Sequence, residues 1–141
     1  MTFTPVNWSK KLVLGYPSFD EDHKTLVQML NNVLMGIYTK LDETILVTAC
    51  DDLLLFTQRH FQREELAMKR FFYPSKDEHT TEHTELSGLL VNTLEGLVQT
   101  RDTSNFQELQ GQLNGWLTEH ILEHDKEVAE FILNQEMRSS V

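Results

Sequence analysis

The residues of this 141-residue chain with the strongest coordination chemistry are its six histidines, His23, His60, His79, His83, His120 and His124, and the carboxylate Glu64, one helical turn after His60. Each histidine falls on or beside a run of apolar residues spaced three or four apart, so on a helix each faces the core or its edge. A single imidazole in such a place is ordinarily a core or rim residue that finds its own hydrogen bond. Six imidazoles and a carboxylate facing one interior are different, because they would cost several kcal/mol in unmet hydrogen bonds unless one agent satisfies them together. A metal ion does this, since imidazole nitrogen and carboxylate oxygen suit iron, zinc and similar ions. Zinc sites take about four ligands, fewer than the donors on offer. Two six-coordinate ions bridged by carboxylates would use them all. With Cys50 the only cysteine, no thiolate set exists for a zinc finger or an iron–sulfur cluster.

The elements that must position these groups are four predicted helices. The first opens after Tyr16-Pro17, where Ser18 and Glu21 have capping-box spacing, and carries His23, Leu26, Val27, Leu30, Leu34 and Ile37 on one stripe. Asp42 is a suitable N-cap for the second, whose stripe runs Ala49, Leu53, Phe56, His60, Glu64, Ala67 and Phe71 before Tyr73-Pro74 stops it. The third opens at Ser75 and Glu78, again with capping-box spacing, and aligns His79, His83, Leu86, Leu90, Leu94 and Leu97. Thr103 or Ser104 caps the fourth, with Leu109, Leu113, Leu117, His120, His124, Val128 and Phe131 in phase. Short connections make successive helices antiparallel. The expected fold is therefore all-α: one domain over residues 1–141, an up-down-up-down antiparallel four-helix bundle with a short extended N-terminal arm. In that arrangement the start of one helix lies beside the end of the one before it. At a rise of about 1.5 Å per residue, the histidines of all four helices then fall within about one layer near one end.

Charge and hydropathy narrow the classes of partner. The formal net charge is −10, which repels nucleic-acid phosphates and anionic lipid heads, so neither nucleic acid nor membrane is expected as a partner. The longest pure apolar run, Leu53-Leu54-Leu55-Phe56, is far too short to span a bilayer. Residues Met1 to Lys11 do not read as a signal peptide, and the lone cysteine fits a reducing compartment. These features set the expectation of a soluble, cytoplasmic monomer.

The pattern resembles the hemerythrins, in particular the single-domain bacteriohemerythrins. The residues that carry the resemblance are Asp20, Asp22 and His23; His60-Phe-Gln-Arg-Glu64-Glu65; His79-Thr-Thr-Glu-His83; and Trp116-Leu-Thr-Glu-His120-Ile121 followed by Asp125, with Trp8 fitting the family's opening segment. It covers roughly Trp8 to Phe131. The resemblance implies two iron ions (ferrous or ferric) with a bridging oxo or hydroxo group. His79, His83 and His120 would hold one iron and His23 and His60 the other, with Glu64 and Asp125 bridging them. The iron with fewer histidines would keep an open position for dioxygen, beneath an apolar pocket to which Leu117 would belong; the plainer role of Leu117 is core packing. The implied function is reversible dioxygen binding by a carrier or store that is not an enzyme, with a protein acceptor of the oxygen as a further partner. A free-standing oxygen or redox sensor acting through a protein partner is the alternative. A di-iron oxidase or peroxidase is a third reading, disfavoured because ferritin-like oxidases use Glu-x-x-His repeats and this sequence has none.

Spacing and resemblance disagree at one place. At about 100° per residue on a regular helix, His124 stands about 40° from His120 and Asp125 about 140° away. Spacing selects His124 as the ligand and the resemblance selects Asp125; following the resemblance leaves His124 as a second-layer or rim residue. Glu65 is expected in solvent, and Asp20 and Asp22 are expected to serve the dipole at the start of the first helix.

Overall fold

The computed structural model describes residues 3, 5–40, 42–100 and 106–139. Thr103 and Ser104, expected to cap the fourth helix, lie outside them. The described chain is all-helical: a 3-10 turn at Lys10–Leu12, then α1 (Pro17–Tyr38), α2 (Glu43–Arg70), α3 (Lys76–Thr100), α4 (Phe106–Glu119), a π-helical turn at His120–Asp125, and α5 (Lys126–Ser139). The π turn joins α4 and α5 end to end, so the elements form the four rods of a bundle. No described helix is long and apolar enough to cross a membrane.

The N-terminal arm is tied to α1 by Asn31, whose side chain accepts from the backbone N–H of Val6 and donates to its carbonyl. The expected Ser18–Glu21 capping box does not form. Tyr16 is the N-cap residue, Pro17 occupies the first turn, where a missing N–H costs nothing, and no side chain caps the helix. Asp20 serves the approach instead, its two oxygens accepting from the N–H groups of Leu14 (2.8 Å) and Gly15 (3.0 Å), the latter in the left-handed region at φ 86°. Asp42 caps α2 as expected, accepting from the Thr44 N–H at 2.9 Å.

Helix α2 stops before Tyr73-Pro74 through a Schellman closure. The N–H of Phe72 bonds to the carbonyl of Lys69 and that of Tyr73 to the carbonyl of Met68, with Phe72 left-handed at φ 56°.

The stripes of α1 and α3 bury as the periodicity predicts, with Leu86 half-buried. In α2 the buried line is Leu46, Cys50, Leu53, Thr57, His60, Phe61, Glu64 and Met68, while Ala49, Phe56, Ala67 and Phe71 form its half-buried flank. The larger departure is in the last rod. From the end of the π turn onward, Asp125, Val128, Ala129 and Ile132 face inward, whereas His124 within the turn and Phe131 beyond it move to the edge. A π turn carries an extra residue per turn, so it rotates everything after it relative to a regular helix.

Among the described residues the core has two apolar clusters. One gathers Leu26, Leu30, Leu34, Leu53, Phe61, Leu90, Leu113 and Leu117; the other gathers Phe19, Met68, Val128, Ala129 and Ile132. Along α1, α2 and the last rod, the buried histidines and carboxylates fall between residues of these two clusters. Apolar packing therefore closes a polar layer from both sides.

Candidate metal centre

Each rod contributes to that layer. His23 comes from α1, His60 and Glu64 from α2, His79 and His83 from α3, and His120 and Asp125 from the two ends of the π turn; all seven are buried. Local packing fixes several rings. The His83 imidazole stacks on Phe61 with centroids 4.0 Å apart and planes within 7°, and Phe19 meets His60 edge-on at 6.2 Å.

The donor atoms converge into two overlapping groups. His23, His60, Glu64 and Asp125 form one, and Glu64, His79, His83 and Asp125 the other, with the ligand atoms of each within 4.8 Å of one another. The two carboxylates belong to both. His120 adjoins the second group, its Nε2 lying 3.0 Å from Asp125 Oδ1. On the first side, His23 Nε2 lies 2.6 Å from Asp125 Oδ2 and 3.2 Å from His60 Nε2.

Proximity here is not the same as hydrogen bonding. Glu64 Oε2 lies 2.8 Å from His60 Nε2, His83 Nε2 lies 3.4 Å from Glu64 Oε1, and His120 Nε2 lies 3.0 Å from Asp125 Oδ1. Yet among the described residues Glu64 Oε2, Asp125 Oδ1, His83 Nε2 and His120 Nε2 have no hydrogen-bond partner, because the angles are wrong for one. Each buried orphan of this kind costs about 1–3 kcal/mol. Lone pairs crowded together without bonding one another are what a shared cation satisfies, and these residues fit a metal-binding site.

Electrostatics points the same way. Burial alone would push the His79 pKa down, but Asp125 and Glu64 outweigh it and raise it to about 10. His60 is likewise raised well above its ordinary value, since contacts with Asp125, Asp22 and Glu64 overcome its burial. Burial and the Asp125 charge push Glu64 up, yet His60, His79 and His83 bring it down to about 2. Asp125 is held well below the usual carboxylate range, with His120, His23 and His60 overcoming its burial. Two carboxylates that stay ionised at full burial require positive charge beside them.

The π turn decides between the two candidates in the last rod. Its i to i+5 winding brings Asp125 over His120, so the carboxylate enters the layer. His124, which regular helical spacing favoured, is displaced outward. Its side chain is 37% exposed, and its Nδ1 pairs with Glu82 Oε2 at 2.8 Å. Leu117 is fully buried in the larger apolar cluster, one turn before His120. Glu65 is half-buried rather than in solvent, with Oε2 3.5 Å from His83 Nδ1.

Sequence reasoning missed Asp22. Expected to serve the dipole at the start of the first helix, it instead turns inward. Its carboxylate receives a two-pronged hydrogen bond from Arg63, Nε to Oδ2 and Nη2 to Oδ1, both at 2.8 Å, and lies 3.1 Å from His60 Nδ1. Burial raises the Asp22 pKa, but contacts with His60 and Arg63 lower it overall. A usable signal was present: Asp22 and Arg63 each stand one residue before a site residue on neighbouring helices.

Residues 14–132 match the family described as the Hemerythrin HHE cation binding domain. The chain is also similar to a protein of Stenotrophomonas maltophilia (strain R551-3) named Bacteriohemerythrin, at 26% identity over 131 residues, covering 91% of this chain and 84% of that relative. The family match spans most of the chain and includes every residue of the buried polar layer, and the chain therefore belongs to the hemerythrin family.

Proposed function

We propose that this protein binds dioxygen reversibly at a pair of iron ions held in the buried layer, as a carrier or store rather than an enzyme. The observation that carries the reading is the sharing of two fully buried carboxylates, Glu64 and Asp125, by two groups with two histidines each, the second of which His120 adjoins. Shared carboxylates suit bridging ligands. His79, His83 and His120 would hold one ion, and His23 and His60, with fewer nitrogen donors, would hold the other. When bound, the ion pair supplies the electrons and the open coordination position on which reversible dioxygen binding depends. The chain's own residues hold the ions and keep water away; Leu117, Phe61 and Phe19 make the surroundings apolar, which limits hydration and proton entry. The name of the Stenotrophomonas relative supports the same reading.

The experiment is anaerobic loading with ferrous salt, followed by an optical cycle between air and vacuum. The expected result is two iron ions per chain and a visible absorption band that appears in air and disappears under vacuum. Immediate oxidation without a reversible band would sink the carrier reading. Turnover of an electron donor with peroxide would favour an oxidase or peroxidase instead.

A further inference from the structure

The histidines of the layer are not equally supported from behind. Among the described residues, His23 Nδ1 and His120 Nδ1 are buried without a hydrogen-bond partner, and His83 Nδ1 faces Glu65 at 3.5 Å without bonding it. His60 differs: its Nδ1 lies within hydrogen-bonding distance of the Asp22 carboxylate. The oxygen that faces His60, Asp22 Oδ2, also accepts from Arg63 Nε, while Arg63 Nη2 holds Oδ1. Arg63 is 41% exposed and so connects this buried contact to the surface.

A carboxylate accepting the Nδ1 proton makes an imidazole a stronger donor through Nε2, and such outer partners orient and tune metal-ligating histidines. A guanidinium sharing the same oxygen draws density the other way. We propose that Asp22 and Arg63 are an opposed pair of positioning residues for His60: Asp22 strengthens its donation to the metal, and Arg63 both fixes and tempers Asp22. This rests on the di-iron reading above and adds a directional control on one of its two ions.

A simple interhelix staple between α1 and α2 makes a different prediction, which the test separates. The midpoint potential of the iron-loaded protein is measured for wild type, Asp22→Asn, Arg63→Gln and Arg63→Lys. Asp22→Asn should raise the potential and weaken ferrous affinity by about 10- to 100-fold. Arg63→Gln should lower the potential, and Arg63→Lys, which keeps the charge, should return it towards wild type. In the metal-free protein, the His60 Nδ1 proton resonance should move upfield in Asp22→Asn and downfield in Arg63→Gln. Shifts of the two variants in one direction, or none, in a wild type that loads iron overturn this proposal alone. A wild type that takes up no iron overturns the di-iron reading, and this proposal with it.

Discussion

His120 and Asp125 lie five residues apart in the chain yet present Nε2 and Oδ1 3.0 Å from each other, because the backbone between them is wound as a π turn. A regular helix would set them about 140° apart and put His124 in the layer. The turn thus exchanges an imidazole for a carboxylate at one corner of the site, and with it places a second shared anion between the two donor groups.

From this exchange follows a contrast between neighbours. Asp125→Ala should abolish most metal retention after gel filtration, while His124→Ala, at the rim, should leave the metal content unchanged. Equal losses in the two variants would contradict the inward assignment of Asp125.

Glu64 belongs to both donor groups and His83 to one. Glu64→Ala should therefore lose both ions, whereas His83→Ala leaves the set of His23 and His60 with its two carboxylates intact. Metal per chain by elemental analysis, after loading under identical conditions, distinguishes them; the Glu64 variant should retain less.

The metal-free protein should have a stability maximum in weak acid. His79 is raised from its ordinary 6.5 to about 10, so its contribution is fully present below 6.5 and is lost as pH rises through about 10. Glu64 is lowered from 4.5 to about 2, so its contribution is present above 4.5 and is lost as pH falls through about 2. Denaturant midpoints measured across pH should fall on both flanks. Metal loading should flatten the alkaline flank, because the ion replaces the protons. A metal-free protein equally stable at pH 6 and above pH 10 would rule this account out.

Phe72 holds the left-handed position of the Schellman closure, a place that favours glycine, and its side chain is 87% exposed. Phe72→Gly relieves the backbone strain and forfeits little burial. It should stabilise the protein by about 1 kcal/mol, a rise in melting temperature of about 3 °C. A lower melting temperature would show that the ring makes contacts which outweigh the strain.

The four-rod plan and most of the candidate metal site were legible in the residue pattern. Helical periodicity places His23, His60, Glu64, His79, His83 and His120 on inward stripes of the four rods, and each stripe needs only local spacing to be recognised. Asp42 was legible as a cap for the same reason, since a capping bond spans two residues. Spacing favoured His124 and the resemblance Asp125; the π turn is what sets Asp125 inward, and helix packing is what turns Asp22 inward and clamps it with Arg63 behind His60. A single inserted residue in a helix leaves no mark in composition, and an Asp–Arg–His contact across α1 and α2 joins residues about forty positions apart. Periodicity assigns a residue to a face; which atoms meet there depends on how neighbouring rods are rotated and set in depth, and packing fixes both.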